Sequence, residues 1–167
     1  MHITLRTSLI NRQIMDTTQI IETWKIHNRI NLYLLANIKE EYLADVSASK
    51  GRSVGELFAH IHQVRLMWVK AAYPELLKGQ NKIEKVAITK KLLTDELNKS
   101  ETAITALLQT GFEQGKIKGF KPHPAAFLGY LISHESYHRG QIMLCLKQSG
   151  HPVDRKVQYG LWEWGVR

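Results

Sequence analysis

The chain has 167 residues, of which 44% are hydrophobic and 23% are charged. This length and balance predict one soluble globular domain, and no stretch approaches the roughly 20 consecutive apolar residues that a membrane-spanning helix needs. The formal net charge of +8 admits anionic partners, but the basic residues are spread along the chain without a recognition motif, so specific nucleic-acid binding is not expected.

The first residues differ in composition from those that follow. Residues 1–14 contain no acidic residue and lack the uninterrupted apolar run of a secretory signal. Asp16 and Thr17 follow Met15 directly, and both are residue types that commonly cap a helix. We therefore expect residues 1–14 to be a flexible extension and residues 15–167 to form a single domain, with Met15 as an alternative start.

Two amphipathic helices are predicted in the first half of the chain. Over residues 17–38, apolar side chains recur at helical spacing, with Asn31 as a polar member of the same face. After a loop of small and polar residues, a second helix is predicted from Ser53 to just before Pro74. Glu56 follows Ser53 at the spacing of a capping box, in which each side chain bonds the other residue's backbone amide.

Two more amphipathic helices are predicted in the second half. The third covers about residues 89–110, with Gly111 at the position of a C-terminal cap. The fourth covers about residues 125–148 and ends before Gly150. Four helices of this length in one domain predict an all-α four-helix bundle, a fold whose core commonly holds metal sites built from facing side chains.

His134 and His138, in the segment ISHESYHRGQI, are the strongest functional signal. Residues four apart lie on the same face of a helix, and Leu131 and Ile142 fall in the same sector, so both imidazoles are expected to point into the core. A buried imidazole needs partners for its ring nitrogens. A shared metal ion would meet that need, and the alternative is a pair of core histidines bonded to neighbouring side chains or carbonyls.

A third ligand is expected from the second helix, where the segment ELFAHIHQV offers His60 and His62. The two histidines flank an apolar stripe centred on Ile61, so the spacing favours His60 only slightly and leaves both open. His27, on the first helix, has an ordinary surface or hydrogen-bonding interpretation. Three neutral imidazoles suit several first-row divalent metals.

Three other residues bear on the expected site. Glu56, one turn before His60, could orient that ring or move a proton, although the capping box explains its position more simply. Gln141, three residues after His138, could orient a ligand or contact a substrate. Cys145 lies about 10.5 Å along the helix axis from His138, too far to bind the same ion, and is expected in the core. As the only cysteine, it excludes an intrachain disulfide, which fits a reducing cytoplasm.

The segments SVGELFAHIHQV and ISHESYHRGQI, followed by YGLWEWG, resemble the DinB/YfiT-like superfamily over nearly all of the chain after Met15. The resemblance implies a DinB-like bundle with His60, His134 and His138 as metal ligands, and so decides for His60 over His62. It also implies zinc, nickel, iron or manganese as the metal and a homodimer as the assembly. Characterised relatives act on low-molecular-weight thiols.

The resemblance and the residues together imply a cytoplasmic metal-binding protein with an unidentified small-molecule substrate. As an enzyme, it would be a metal-dependent, thiol-dependent transferase or a hydrolase, because a coordinated water or thiol loses its proton more readily. The alternative is a non-catalytic metal-binding or stress-related protein. Nucleic-acid binding ranks last, and no membrane partner is expected.

Overall fold

The computed structural model describes residues 2–167, and it describes the side chains of residues 17–86 and 88–167. Five helices follow one another along the chain: α1 (His2–Ala36), α2 (Val54–Ala72), α3 (Lys90–Gln114), α4 (Pro124–Gln148) and α5 (Arg155–Gly160). In the described residues, extended pairing is limited to two isolated bridges, Val46 with Ser53 and Ile117 with Phe120. The predicted all-α class is confirmed.

The four long helices pack together as a bundle, in which α3 contacts α1 and α2, and α4 contacts α1, α2 and α3. The short helix α5 was not predicted. No described helix is both long enough and apolar enough to cross a membrane. The predicted extension, residues 1–14, lies outside the residues whose side chains are described, and the domain boundary at Met15 therefore stays a prediction.

The start of α2 confirms the predicted capping box. The Ser53 hydroxyl accepts a hydrogen bond from the backbone amide of Glu56 at 3.3 Å, and the Glu56 carboxylate accepts one from the backbone amide of Ser53 at 2.9 Å. Two amides that the helix itself leaves without partners are satisfied in this way. The capping box fixes where α2 begins, and His60 lies one turn beyond Glu56.

The predicted cap of α3 at Gly111 is wrong. The helix continues to Gln114 and ends at Gly115, which adopts a left-handed backbone with φ 70°. Gly111 lies inside α3, where a β-carbon would come within 2.1 Å of the Ile117 side chain. The glycine at 111 therefore permits close packing of the following loop, while Gly115 supplies the positive φ that a helix end requires.

The core consists of two apolar clusters separated by a layer of buried polar residues. One cluster surrounds Phe58 and Leu97, and the other surrounds Trp24 and Phe127. Between the two clusters lie polar residues of all four long helices that hydrogen-bond to one another. We call them the polar layer: His27, Asn28 and Asn31 of α1, Arg65 of α2, Ser100 of α3, and Glu135 with the partly buried Arg139 of α4.

Candidate metal centre

Three histidines from two helices form one cluster, which we call the histidine triad. His60 lies on α2, and His134 and His138 lie one turn apart on α4. One ring nitrogen of each lies within 4.8 Å of the others, and among the described residues this is the one group of three potential metal ligands. Metal–imidazole bonds are about 2.0–2.1 Å long. Small rotations of the three side chains would therefore bring one nitrogen of each ring to bonding distance from a shared ion.

The orientation of His138 is set by Gln141. The carboxamide oxygen of Gln141 lies 2.7 Å from Nδ1 of His138, and its nitrogen donates to the hydroxyl of Tyr137 at 3.0 Å. Since a carboxamide oxygen can only accept, Nδ1 of His138 carries the hydrogen. Nε2 of the neutral ring therefore keeps its lone pair, and it faces Nε2 of His134 at 3.1 Å.

The surroundings of the triad keep its rings neutral. Burial is the main cause that lowers the pKa of His60, to about 4, and the positive charge of Arg52 adds to it. Burial also lowers the pKa values of His134 and His138. Near neutral pH each ring thus offers a lone pair, which is the form of histidine that binds metals.

The arrangement fits a metal ion on two observations. Nε2 of His134 and Nε2 of His138 lie 3.1 Å apart, a separation that two metal–nitrogen bonds of about 2.0–2.1 Å to one ion can span. Nδ1 of His134 is buried and has no hydrogen-bond partner among the described residues, so no protein contact competes for the Nε2 that faces His138. Three histidines are also a ligand set that leaves coordination positions open for other molecules.

His62, the alternative third ligand, lies outside the triad. Its side chain is buried, and Nε2 lies 2.8 Å from the backbone oxygen of Asn81, in the segment between α2 and α3. Because His60 and His62 are two positions apart on α2, their side chains point about 200° apart around the helix axis. His60 and His62 therefore cannot share one pocket, and the structure places His60 beside the histidines of α4.

Glu56 is engaged at the start of α2. Besides the capping box, its carboxylate contacts Nζ of Lys85 at 2.7 Å, and hydrogen bonds from Lys85 and from the Ser53 amide lower its pKa. The described residues show no hydrogen bond between Glu56 and His60. Gln141, by contrast, contacts a triad ring directly.

The polar layer is a cluster of buried charged and polar side chains that the sequence did not reveal. Glu135 follows His134 but lies on a neighbouring face of α4, where Arg65 donates two hydrogen bonds of 2.8 Å to its two carboxylate oxygens. Arg65 also donates to the side chain of Asn28 and to the backbone oxygen of Leu97. Although burial alone would raise it, the charge and hydrogen bonds of Arg65 hold the pKa of Glu135 well below its usual range.

Residues of α1 complete the polar layer. His27 and Asn31 lie 3.0 Å and 2.6 Å from one oxygen of Glu135, and Arg139 donates to the side-chain oxygen of Asn31. His27 is fully buried and hydrogen-bonded rather than exposed. Burial lowers its pKa, so the ring is neutral near pH 7. Burial likewise lowers the pKa of Arg139, to about 10, which still leaves the guanidinium charged.

A cavity of about 50 Å³ opens beside His60. It lies between the start of α2 and the segment that precedes α3. Its lining combines apolar side chains with two cationic residues and a single carboxylate: Arg52, Glu56, Ala59, His60, Gln63, Ile83, Lys85 and Ile88. Of the three triad histidines, His60 is the one that lines this cavity.

Comparisons with known proteins agree with this architecture. A crystal structure of a DinB-like protein from Bacillus cereus superposes with a TM-score of 0.59 over 81% of this chain and 93% of that chain, at 22% sequence identity. This likeness concerns the fold. No curated protein matches the chain. The family model described as DinB family matches residues 13–162, which include all three triad histidines, and the chain therefore belongs to the DinB family.

Proposed function

We propose that His60, His134 and His138 bind one divalent transition metal ion and that the protein is a metal-dependent enzyme. The observation that carries the proposal is the convergence of three neutral imidazoles from two helices, with the lone pair of His138 oriented by Gln141. Zinc, nickel, iron or manganese is proposed as the metal from the family resemblance, and imidazole ligands suit the first three.

The chemistry that fits such a site is group transfer to, or hydrolysis of, a small molecule. A bound ion would supply Lewis acidity, which lowers the pKa of a coordinated water or thiol. The residues of the chain supply the rest. Gln141 holds His138 in one tautomer, the core excludes water from the inner side of the triad, and the partly exposed His60 leaves one side open. A low-molecular-weight thiol as second substrate is proposed from the family resemblance.

Metal content tests the proposal directly. Protein stripped of metal and then titrated with zinc should bind one ion per chain, measured by elemental analysis after desalting. Alanine at each triad position should weaken binding at least tenfold. His62→Ala is the matched control, because it removes a neighbouring imidazole of α2 that lies outside the triad. Equal zinc content in all four variants, each shown by circular dichroism to be folded, would contradict the assignment.

Catalysis needs a separate test. Metal-loaded protein should be combined with glutathione, bacillithiol or mycothiol and with epoxide, halide and hydrolysable substrates, and product should form only when the triad is intact. A protein that binds the ion but turns over none of these would favour the non-catalytic alternative.

We further propose that the protein is a homodimer. The support from this chain is the outer face of α4, where Tyr137 and Leu144 are 64% and 50% exposed. Sedimentation velocity should give twice the mass of one chain, and Leu144→Glu should shift the equilibrium toward the monomer. A monomer at all concentrations would refute the proposal.

A further inference from the structure

The cavity beside His60 carries positive charge that the described residues do not neutralise. Arg52 lies directly before the capping residue of α2, and its side chain is exposed and lines the cavity together with His60. Among the described residues, the Arg52 guanidinium has no hydrogen-bond or ion-pair partner. Lys85, the second cation of the lining, is already paired with Glu56 at 2.7 Å.

Among the described residues, no carboxylate forms an ion pair with Arg52. Glu56 is the one acidic residue of the lining, and its oxygens are bound by Lys85 and by the Ser53 amide. The charge of Glu135 acts on His134 and His138, but its side chain is buried and both of its oxygens are bound by Arg65. An anion at Arg52 must therefore come from outside the described part of the chain.

An ion bound by the triad would add further positive charge beside the cavity. Its three ligands are neutral imidazoles, so they would leave both charges of a divalent cation uncompensated. Arg52 and His60 line the same cavity, so the guanidinium and an ion held by the triad would act on one ligand together. A cationic site with one open side favours an anionic ligand.

We infer that Arg52 binds the carboxylate of a small organic acid whose other end reaches the metal centre. The inference rests on the proposed metal site and names a substrate class for it. A guanidinium presents two parallel N–H donors that match the two oxygens of a carboxylate. The cavity of about 50 Å³ has room for a group of the size of a carboxylate beside His60.

The experiment uses cobalt-loaded protein and two probes of nearly the same shape. The acid 3-mercaptopropionate carries a thiol for the metal and a carboxylate for Arg52, whereas 3-mercaptopropionamide lacks the charge. Binding is followed by the thiolate-to-cobalt absorption band and by calorimetry. Arg52→Gln is compared with wild type and with Arg155→Gln, which removes an exposed arginine of α5.

We expect Arg52→Gln to retain one cobalt ion per chain and to bind the acid at least tenfold more weakly, with unchanged affinity for the amide. Arg155→Gln should behave as wild type. Equal affinity of wild type and Arg52→Gln for the acid would overturn the inference, as would an equal loss for acid and amide. If either result is obtained while Arg52→Gln still binds cobalt, the proposed metal site itself is not contradicted.

Failure of the metal site gives a different pattern, because wild type would then bind no cobalt. In that case, the metal-free protein is titrated with propionate while the Nε–H signal of Arg52 is followed by NMR. A saturable shift that is absent with propionamide would support carboxylate binding by Arg52 in the absence of the proposed function. No shift would overturn the inference as well.

Discussion

Helix α4 contributes to two polar clusters on neighbouring faces, and the clusters differ in charge, burial and hydrogen bonding. The polar layer is charged and lies in the core, and in the described residues none of its buried nitrogen or oxygen atoms lacks a partner. The histidine triad is neutral and partly exposed, and it includes a buried ring nitrogen without a partner, Nδ1 of His134. Complete internal pairing indicates a structural role, whereas neutral ring nitrogens gathered in a partly exposed cluster indicate room for a ligand.

The largest expected effect comes from breaking the polar layer. Arg65→Met leaves the carboxylate of Glu135 buried without its principal partner, which costs about 3–5 kcal/mol of stability. Urea unfolding of the metal-free protein measures the loss. The double variant Arg65→Met/Glu135→Leu should recover a large part of it, because it removes both charges. Equal stability of Arg65→Met and wild type would contradict a structural role for the layer.

Metal binding at the histidine triad should stabilise the folded protein. An ion that binds only the folded chain adds about 2.7 kcal/mol when its free concentration is 100 times Kd. Thermal unfolding with and without added zinc should show this gain in wild type and in His62→Ala. His134→Ala should show almost none. A gain of the same size in His134→Ala would mean that zinc binds elsewhere.

Acidification should act on the polar layer through His27. Burial places the folded-state pKa of His27 below its ordinary value of 6.5, so the unfolded chain binds more protons. Stability is therefore fully present above about pH 6.5 and decreases as the pH falls below it, by at most about 1.4 kcal/mol per pH unit from this ring. Urea midpoints between pH 7 and pH 5 measure the slope, which His27→Gln should reduce. Stability that rises on acidification would contradict the burial of a neutral ring.

The smallest expected effect comes from the capping box of α2, and it tests whether metal binding at the triad depends on that cap. Ser53→Ala removes one half of the capping box and should cost about 1 kcal/mol. Zinc stoichiometry should stay at the wild-type value, because His60 lies further along the helix. Loss of zinc in a folded Ser53→Ala protein would show that the cap positions the ligand as well as the helix.

Local signals explain which parts of the fold the sequence predicted. The capping box depends on two residues three apart, and the pair His134 and His138 depends on a spacing of four, so both can be read within one helix. The cap of α3 was misplaced because Gly111 and Gly115 are both plausible ends by residue type. Only the packing of Ile117 over Gly111 distinguishes them.

The polar layer escaped prediction because its contacts join residues distant in sequence. Glu135 lies in the polar stretch SHESYHRG, where a surface position is the natural interpretation, and its partners Arg65 and His27 lie on other helices. No periodic pattern marks such a contact. The third ligand was also a nonlocal question, and it took the family resemblance to favour His60 over His62.

The distribution of the triad over two helices has a consequence for chain topology. His60 lies on α2 and the other two histidines lie on α4, so an ion held by all three would act as a reversible cross-link that closes a loop containing the whole of α3. Closing a long loop restricts the unfolded chain, as a disulfide does. Metal supply would then set how often this half of the bundle opens, in a protein whose single cysteine allows no intrachain disulfide.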